Sequence, residues 1–536
     1  MKKSLALSGG LFALVAGLTL VRPPELSNPQ IEFNTPDGLA GQMLLNAQPS
    51  NNFCNEVGAP IALALKTACP ACQVSPVRCL SSLSERQQKI LSGNSADGFS
   101  VQMPAGIMLL QSVEPELAKG ACEEVAKRGF GVCLGSAQEM TTPASLKTSA
   151  TQSEDIAGLF SALVLPLSVS LLVGLFIVLS KPFHGRWTVD HPGAGVQKLH
   201  TQLVPRVGGL ALLAGGAAPL ILPLLGWTHT PALVPSTLGK GELSVRSVLE
   251  VFVLAGLPAF LFGLVEDLTR RVGVRERLLA TMASALLAWW FTGLLIQRLD
   301  LGGLDVFMGI TAISLAFTAI AVGGVANAVN IIDGVHGLAS GIGILALTTL
   351  AWLAWLVGDQ TLVTVAVLLA GATAGFFILN YPMGRLFLGD GGAYLLGFWV
   401  AWMSVMLVAR NPDVSPWACL LIVAYPVTEV LYSVRRRLVA KLPAGAPDRE
   451  HLHSLVKVNW ARVRFAKLTP ELQNAIVAPG LWVLAAAPMT IALRYHESRG
   501  VLISAMVAFV MIYIFVHRRV GAIVPRSRLG TPSSAN

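Results

Sequence analysis

The chain has 536 residues, of which 53% are hydrophobic and only 13% charged, too apolar a composition for a soluble protein that must wet its whole surface. The net charge of +9 would suggest nucleic acid in a soluble protein; in a chain this apolar it marks basic loops on one side of a bilayer, and no nucleic-acid partner is expected. The expected fold class is an all-α polytopic membrane protein.

Apolar runs of about 17–24 residues, each able to cross a hydrocarbon core of roughly 30 Å, recur twelve times. They lie near 4–21, 157–180, 207–226, 248–265, 278–296, 306–326, 338–357, 361–380, 392–409, 417–433, 476–493 and 501–516. Lys2 and Lys3 hold the N-terminus inside, and strict alternation then places 22–156 outside. From residue 181 onward, 22 Lys and Arg fall in loops assigned to the cytoplasm and 6 in those assigned outside, a bias that supports the orientation and about 11 transmembrane helices in the core. Residues 1–21 read as a signal anchor or a signal peptide; the anchor is favoured because no small-x-small cleavage site follows.

Residues 22–156 hold six of the seven cysteines, Cys54, Cys69, Cys72, Cys79, Cys122 and Cys133. An even number in a small segment facing the periplasm reads as a disulfide framework of undetermined pairing. Cys69-Pro70-Ala71-Cys72 is alternatively a redox pair or half a metal site. Helical patches such as 115–128 predict a small α-rich domain, with a Ser/Thr-rich linker at 141–153. The membrane domain then runs over 157–520, and 521–536 reads as a disordered cytoplasmic tail.

The acidic residues of the membrane domain stand at helix ends, as expected when a carboxylate at mid-bilayer costs roughly 2.5–3.5 kcal/mol. Glu266, Asp267, Asp333 and Asp390 all fall at cytoplasmic ends, from three well-separated loops. In GLVEDLTRRVGVRERLLA the pair Glu266 and Asp267 serves either as a cation or base site or as a solvated helix end paired with arginine. In NAVNIIDGVHGLASG, Asn327, Asn330 and Asp333 recur every third residue before a Gly-rich turn, where they either bond a ligand or cap the helix. Gly334, Gly337 and Gly341 there would allow close approach of a phosphate. In FLGDGGAYLLGF, Asp390 either caps the next helix or supplies a carboxylate for Mg²⁺ with phosphate oxygens among its ligands.

Two basic stretches complete the set. VQKLHTQLVPRVGGL offers Lys198, His200 and Arg206, and DREHLHSLV offers His451 and His453; both read as phosphate contacts or as ordinary basic flanks. The two histidines lack further ligands nearby for zinc. Only Glu429 lies inside a predicted span.

Together these five stretches resemble the polyprenyl-phosphate N-acetylhexosamine-1-phosphate transferase family (glycosyltransferase family 4), over roughly 160–520. They are closer to its GlcNAc-1-phosphate branch than to the phospho-MurNAc-pentapeptide branch. The resemblance implies a Mg²⁺ or Mn²⁺ requirement and an active site on the cytoplasmic face of the bacterial inner membrane. By the same resemblance, Asp390 and Asp267 would be metal ligands, with Asp267, Glu266 and Asp333 in catalysis. Lys198, His200, Arg206, Asn327, Asn330, Gly334, His336, His451 and His453 would bind substrate. Two positions depart from the family pattern. Glu266 stands for the first member of an Asp-Asp pair and moves its carboxylate by about 1 Å, and His336 stands for the second acid of an Asp-Gly-x-Asp-Gly turn.

The implied reaction is attack by undecaprenyl phosphate on a UDP-N-acetylhexosamine, giving the lipid-linked diphosphate sugar and UMP, as in initiation of a cell-envelope polysaccharide such as O-antigen. Membrane lipids are expected partners, and a homodimer is compatible with the family. The competing readings are an inactive homologue acting as a membrane scaffold and an ion-coupled lipid or sugar transporter.

Overall fold

The computed structural model describes residues 28–35, 39–45, 71–80, 99–103, 106–112, 132–133, 150–190, 203–225, 244–441, 448 and 450–523, with isolated positions 62, 63, 66 and 119. The first apolar run, nearly all of the 115–128 patch and the tail beyond 523 lie outside the described residues. Two compact units divide the chain, Met1–Ala157 and Gly158–Asn536.

Among its described residues the first unit is built on a sheet rather than on the expected helices. Strands β1 (Asn28–Asn34), β2 (Leu39–Leu45), β3 (Gln73–Val74), β4 (Arg78–Leu80), β5 (Phe99–Met103), β6 (Gly106–Ser112) and β7 (Val132–Cys133) pair in the order β3-β1-β2-β6-β5-β7, with β4 also on β1. The pairs are antiparallel, with Ile31 opposite Met43 and Met43 opposite Met108. Ile31 is buried while Glu32 beside it is exposed, the period-two alternation of a strand with one covered face. Cys72 and Cys79 are both in disulfide linkage.

The second unit is helical. Its helices are α1 (Ala150–Leu179, counted from its start), α2 (Lys181–Thr188), α3 (Gly209–Leu224), α4 (Val245–Leu254), α5 (Leu257–Thr269), α6 (Val274–Thr292), α7 (Thr311–Ile332), α8 (Leu338–Leu356), α9 (Gln360–Asn380), α10 (Gly389–Arg410), α11 (Pro416–Ile422), α12 (Ala424–Val439), α13 (Leu452–Val456), α14 (Pro470–Ala475), α15 (Val477–Arg494) and α16 (Arg499–Gly521). Every apolar run predicted from 157 onward is helix here. By length and apolarity, however, eight spans qualify among the described residues, or nine if α11 and α12, bent by 78°, are one. The expected eleven shrink because α3 has only 16 residues and α6 opens on Arg275, Glu276 and Arg277. The bend at Val423 precedes Pro426, which has no N–H to give an upstream carbonyl.

Helix α10 is the axis of the bundle: 89% of its apolar window is buried, with Phe398, Trp399 and Trp402 fully enclosed. An all-apolar helix can face lipid or other helices, and here neighbouring helices enclose it. Its N-terminal end therefore lies where several other helix ends converge, and the charged residues gather there.

Candidate functional site

The start of α10 is fixed by backbone pairing with the Pro205-Arg206-Val207-Gly208-Gly209 stretch. Phe387 N donates to Pro205 O at 2.9 Å, Gly208 N to Phe387 O at 2.9 Å and Gly209 N to Leu388 O at 3.0 Å. Bare glycines let the backbones meet: a Cβ on Gly209 would stand 2.4 Å from Gly392 N, and one on Gly263 2.5 Å from Gly391 Cα. Gly389 has φ +74°, and a Cβ there would strike Arg206 O at 2.1 Å, so the turn into α10 needs glycine. This close junction of α3, α5 and α10 sets Arg206, Asp267 and Asp390 beside one another.

Asp267 is buried, at 3% exposure, and its two oxygens are committed. Asp390 N donates to Oδ1 at 2.9 Å and Gly391 N to Oδ2 at 3.0 Å, so the carboxylate caps the positive end of α10. Arg206 adds Nε to Oδ1 at 3.0 Å and a terminal nitrogen at 2.9 Å. Asp390 is more open, with a terminal Arg206 nitrogen 3.5 Å from Oδ1 and Arg277 bonded to Oδ2. Glu266 turns away and accepts from Val272 N at 2.8 Å, closing the turn after α5.

Beside this cluster lies a polar cavity of about 360 Å³, lined among others by Arg206, Asn330, Asp333, Gly334, His336, Asp390, Asp448, His451 and His453. Asn380 and Asn474 hold its rim. Asn380 Oδ1 accepts from Gly337 N at 2.6 Å while its Nδ2 donates to Leu386 O at 2.8 Å, and Asn474 Oδ1 accepts from His336 N at 3.0 Å. The Asp333 carboxylate takes no side-chain hydrogen bond from any described residue. Burial pushes it up to about 7, with the Asp390 charge adding to the effect and Arg206 opposing it. Asn330 Nδ2 and His453 Nδ1 are buried without a hydrogen-bond partner, which ordinarily marks a group awaiting a ligand or water. Burial also holds His453 neutral, pushing it down to about 4 against the attraction of Glu429. His453 therefore meets an anion as a hydrogen-bonding group rather than as a counter-charge.

Residues 249–408 match the family described as Glycosyl transferase family 4. The match lies within the membrane unit. Similar proteins include one of Bacillus subtilis (strain 168) named probable undecaprenyl-phosphate N-acetylglucosaminyl 1-phosphate transferase. It is 25% identical over 307 residues, 57% of this chain and 79% of its own. The undecaprenyl-phosphate alpha-N-acetylglucosaminyl 1-phosphate transferase of Salmonella typhi is 25% identical over 331 residues, 60% and 83% of the two chains. Its namesake in Thermotoga maritima is 30% identical over 202 residues, 38% and 60%.

Of the residues singled out in the sequence, the membrane unit brings Arg206, Asn330, Asp333, Gly334, His336, Asp390, His451 and His453 to one cavity. Lys198 and His200 lie outside the described residues. Asn327 is not brought there; its Nδ2 donates to Thr281 Oγ1 at 3.1 Å and Gly323 O at 2.8 Å, tying α7 to α6. Glu266 and Asp267 do not line the cavity either, Asp267 bordering it through the N–H groups it holds. The sequence reading quoted Arg277 and Asp448 within its motifs without giving them a role, and passed over Asn380 and Asn474, which stand outside those motifs.

Gly337 and Gly341 allow close packing: a Cβ on Gly341 would strike Trp482 and one on Gly337 would strike Tyr381. At Gly334 it would stand 2.1 Å from His453 Nε2, on a ring that is 3% exposed. Gly334→Ala must displace that ring, and a misplacement of about 1 Å costs up to about 100-fold in rate. The expected result is a loss of turnover of about tenfold or more with an unchanged circular-dichroism melt.

Proposed function

We propose that this chain transfers N-acetylhexosamine 1-phosphate from a UDP-sugar to undecaprenyl phosphate and releases UMP, at the cytoplasmic face of a bacterial inner membrane. The observation that carries the reading is the cavity's composition. Asp333 and Asp390 stand with Arg206, His451 and His453 where apolar helices end, so a lipid-borne phosphate and a water-borne diphosphate have a common meeting place. The relatives' names point to UDP-GlcNAc as the first donor to try. Initiation of a polysaccharide such as O-antigen, a periplasmic disulfide-bonded first unit and a homodimer belong to the same reading.

In the step we propose, an oxygen of the lipid phosphate attacks the sugar-bearing phosphorus of the donor. The bond from that phosphorus to the bridging oxygen breaks, and UMP leaves with the bond's electron pair. A phosphate monoester with a second pKa of about 6 is already largely a dianion at neutral pH, so a general base is not required. Asp267 is ill placed to be one, because N–H groups and Arg206 occupy both its oxygens. Arg206 offsets the repulsion between two anions, which is the chief demand of phosphoryl transfer, while His451 and His453 offer hydrogen bonds.

The residues present fit a divalent cation. Among the described residues no group of three or more His, Cys, Asp or Glu could hold a metal alone. Two carboxylates facing one cavity nevertheless suit Mg²⁺ or Mn²⁺, which keep waters and phosphate oxygens as ligands. Asp390 and Asp333 would hold it, rather than Asp390 and Asp267. When bound, the cation neutralises phosphate charge.

The purified chain, given undecaprenyl phosphate, Mg²⁺ and a panel of UDP-sugars, is expected to release UMP with one donor, to stop on chelation and to resume when Mg²⁺ is restored. Chelator-insensitive release would remove the metal from the scheme, and release without the lipid would mean simple hydrolysis.

A further inference from the structure

The histidine pair at the cavity is held by a carboxylate from the membrane-embedded part of the bundle. Glu429 lies in α12 at 1% exposure, a costly place for a carboxylate unless it is paired. Its Oε1 accepts from His451 Nδ1 at 3.0 Å and from Leu452 N at 3.1 Å, and Oε2 stands 3.3 Å from the same amide. A carboxylate only accepts, so the hydrogen is on Nδ1, and Nε2 faces Asp448 Oδ2 at 3.8 Å.

The Leu452 amide opens α13, and His453 follows in the same turn. The two imidazoles stack, with centroids 5.6 Å apart and planes 7° apart. The same face of α12 presents Ser433, Arg436 and Arg437 to Asp448, at the three- and four-residue spacing that aligns side chains on one helix stripe. The loop carrying the histidines is thus docked on α12 at two points, and of the two only the Glu429 contact hydrogen-bonds an imidazole.

We infer that Glu429 is a positioning residue: it fixes the tautomer of His451 and, through the Leu452 amide, places His453, so that both rings are set to meet a phosphate-bearing substrate. This rests on the phosphate-binding reading of the cavity. A residue acting through another gives non-additive losses when both are changed, whereas independent structural damage multiplies.

The test is a cycle of Glu429→Gln, His451→Gln and the double variant in the full chain, read by UMP release and by ¹⁵N spectra of labelled histidines. Glu429→Gln keeps a carbonyl oxygen for the Leu452 N–H and so disturbs chiefly the His451 contact; it is expected to lose about tenfold or more, and the double variant to fall within about twofold of His451→Gln alone. The His451 signal, identified by its absence in His451→Gln, should report protonated Nδ1 in the native chain and a mixture of tautomers in Glu429→Gln. Multiplying losses or an unchanged His451 signal would overturn the inference. If the native chain releases no UMP with any donor, the functional reading has failed, and the spectra alone decide the contact. Glu429→Asp, which keeps the charge, replaces the glutamine variant should that one not fold.

Discussion

Asp390→Asn will lower UMP release by about a thousandfold, equivalent to roughly 4 kcal/mol of transition-state stabilisation, while leaving the melting temperature within about 1 °C of the native chain. Asp390 faces the cavity and is bonded to Arg277, its side chain 15% exposed and that of Arg277 19% exposed. The amide keeps the shape of the first turn of α10 but removes the charge that a divalent cation or a paired guanidinium needs. Arg277 is open enough for water to replace the lost partner, so stability changes little. Steady-state kinetics with the lipid acceptor, set beside a circular-dichroism melt, would separate the two effects. A variant that melts early and loses activity in proportion would place Asp390 among the structural groups instead.

Asp267→Asn should behave in the opposite way, although the two residues touch. An asparagine offers one acceptor and one donor where Asp267 presents two acceptors, so its amide would face either the Gly391 N–H or the Arg206 guanidinium. Removing one partner of a buried charge pair costs about 3–5 kcal/mol. For a chain of this size that corresponds to a fall of roughly 3–5 °C in melting temperature. Activity should recover substantially when measured on the folded fraction at low temperature. A normal melt with abolished turnover would return Asp267 to the role of metal ligand that the family resemblance gives it.

The contrast between these neighbours shows what a sequence carries and what it does not. The convergence of Asp333 and Asp390 was legible because carboxylates are rare in apolar chains and stand at helix ends for a reason. The division of labour between Asp267 and Asp390 was not, because it depends on which N–H groups, 123 residues away, one carboxylate meets. Asn380 and Asn474 were invisible for the same cause: each satisfies a single backbone amide of the 336–337 turn, and nothing local distinguishes it from an ordinary helix-end asparagine.

The helices themselves were legible as long apolar runs, and the break before α12 had its signal in Pro426. The first unit was misread. Thr35-Pro36-Asp37-Gly38 between NPQIEFN and LAGQMLL is a turn signature flanked by strand-forming segments, a signal that a reading built on helical-looking patches further along does not use. Short strands in a Cys-rich segment show only two or three alternations each, which is little signal against a helical period.

The claim on which the rest depends is that a phosphorus atom moves with the sugar. UDP-GlcNAc labelled in its β-phosphorus, incubated with the purified chain, undecaprenyl phosphate and Mg²⁺, decides it. The account predicts that the label passes into the lipid-extractable product while unlabelled UMP appears in the water phase. Label remaining in the water phase as UDP, with sugar in the lipid, would mean transfer of the sugar alone and would contradict it.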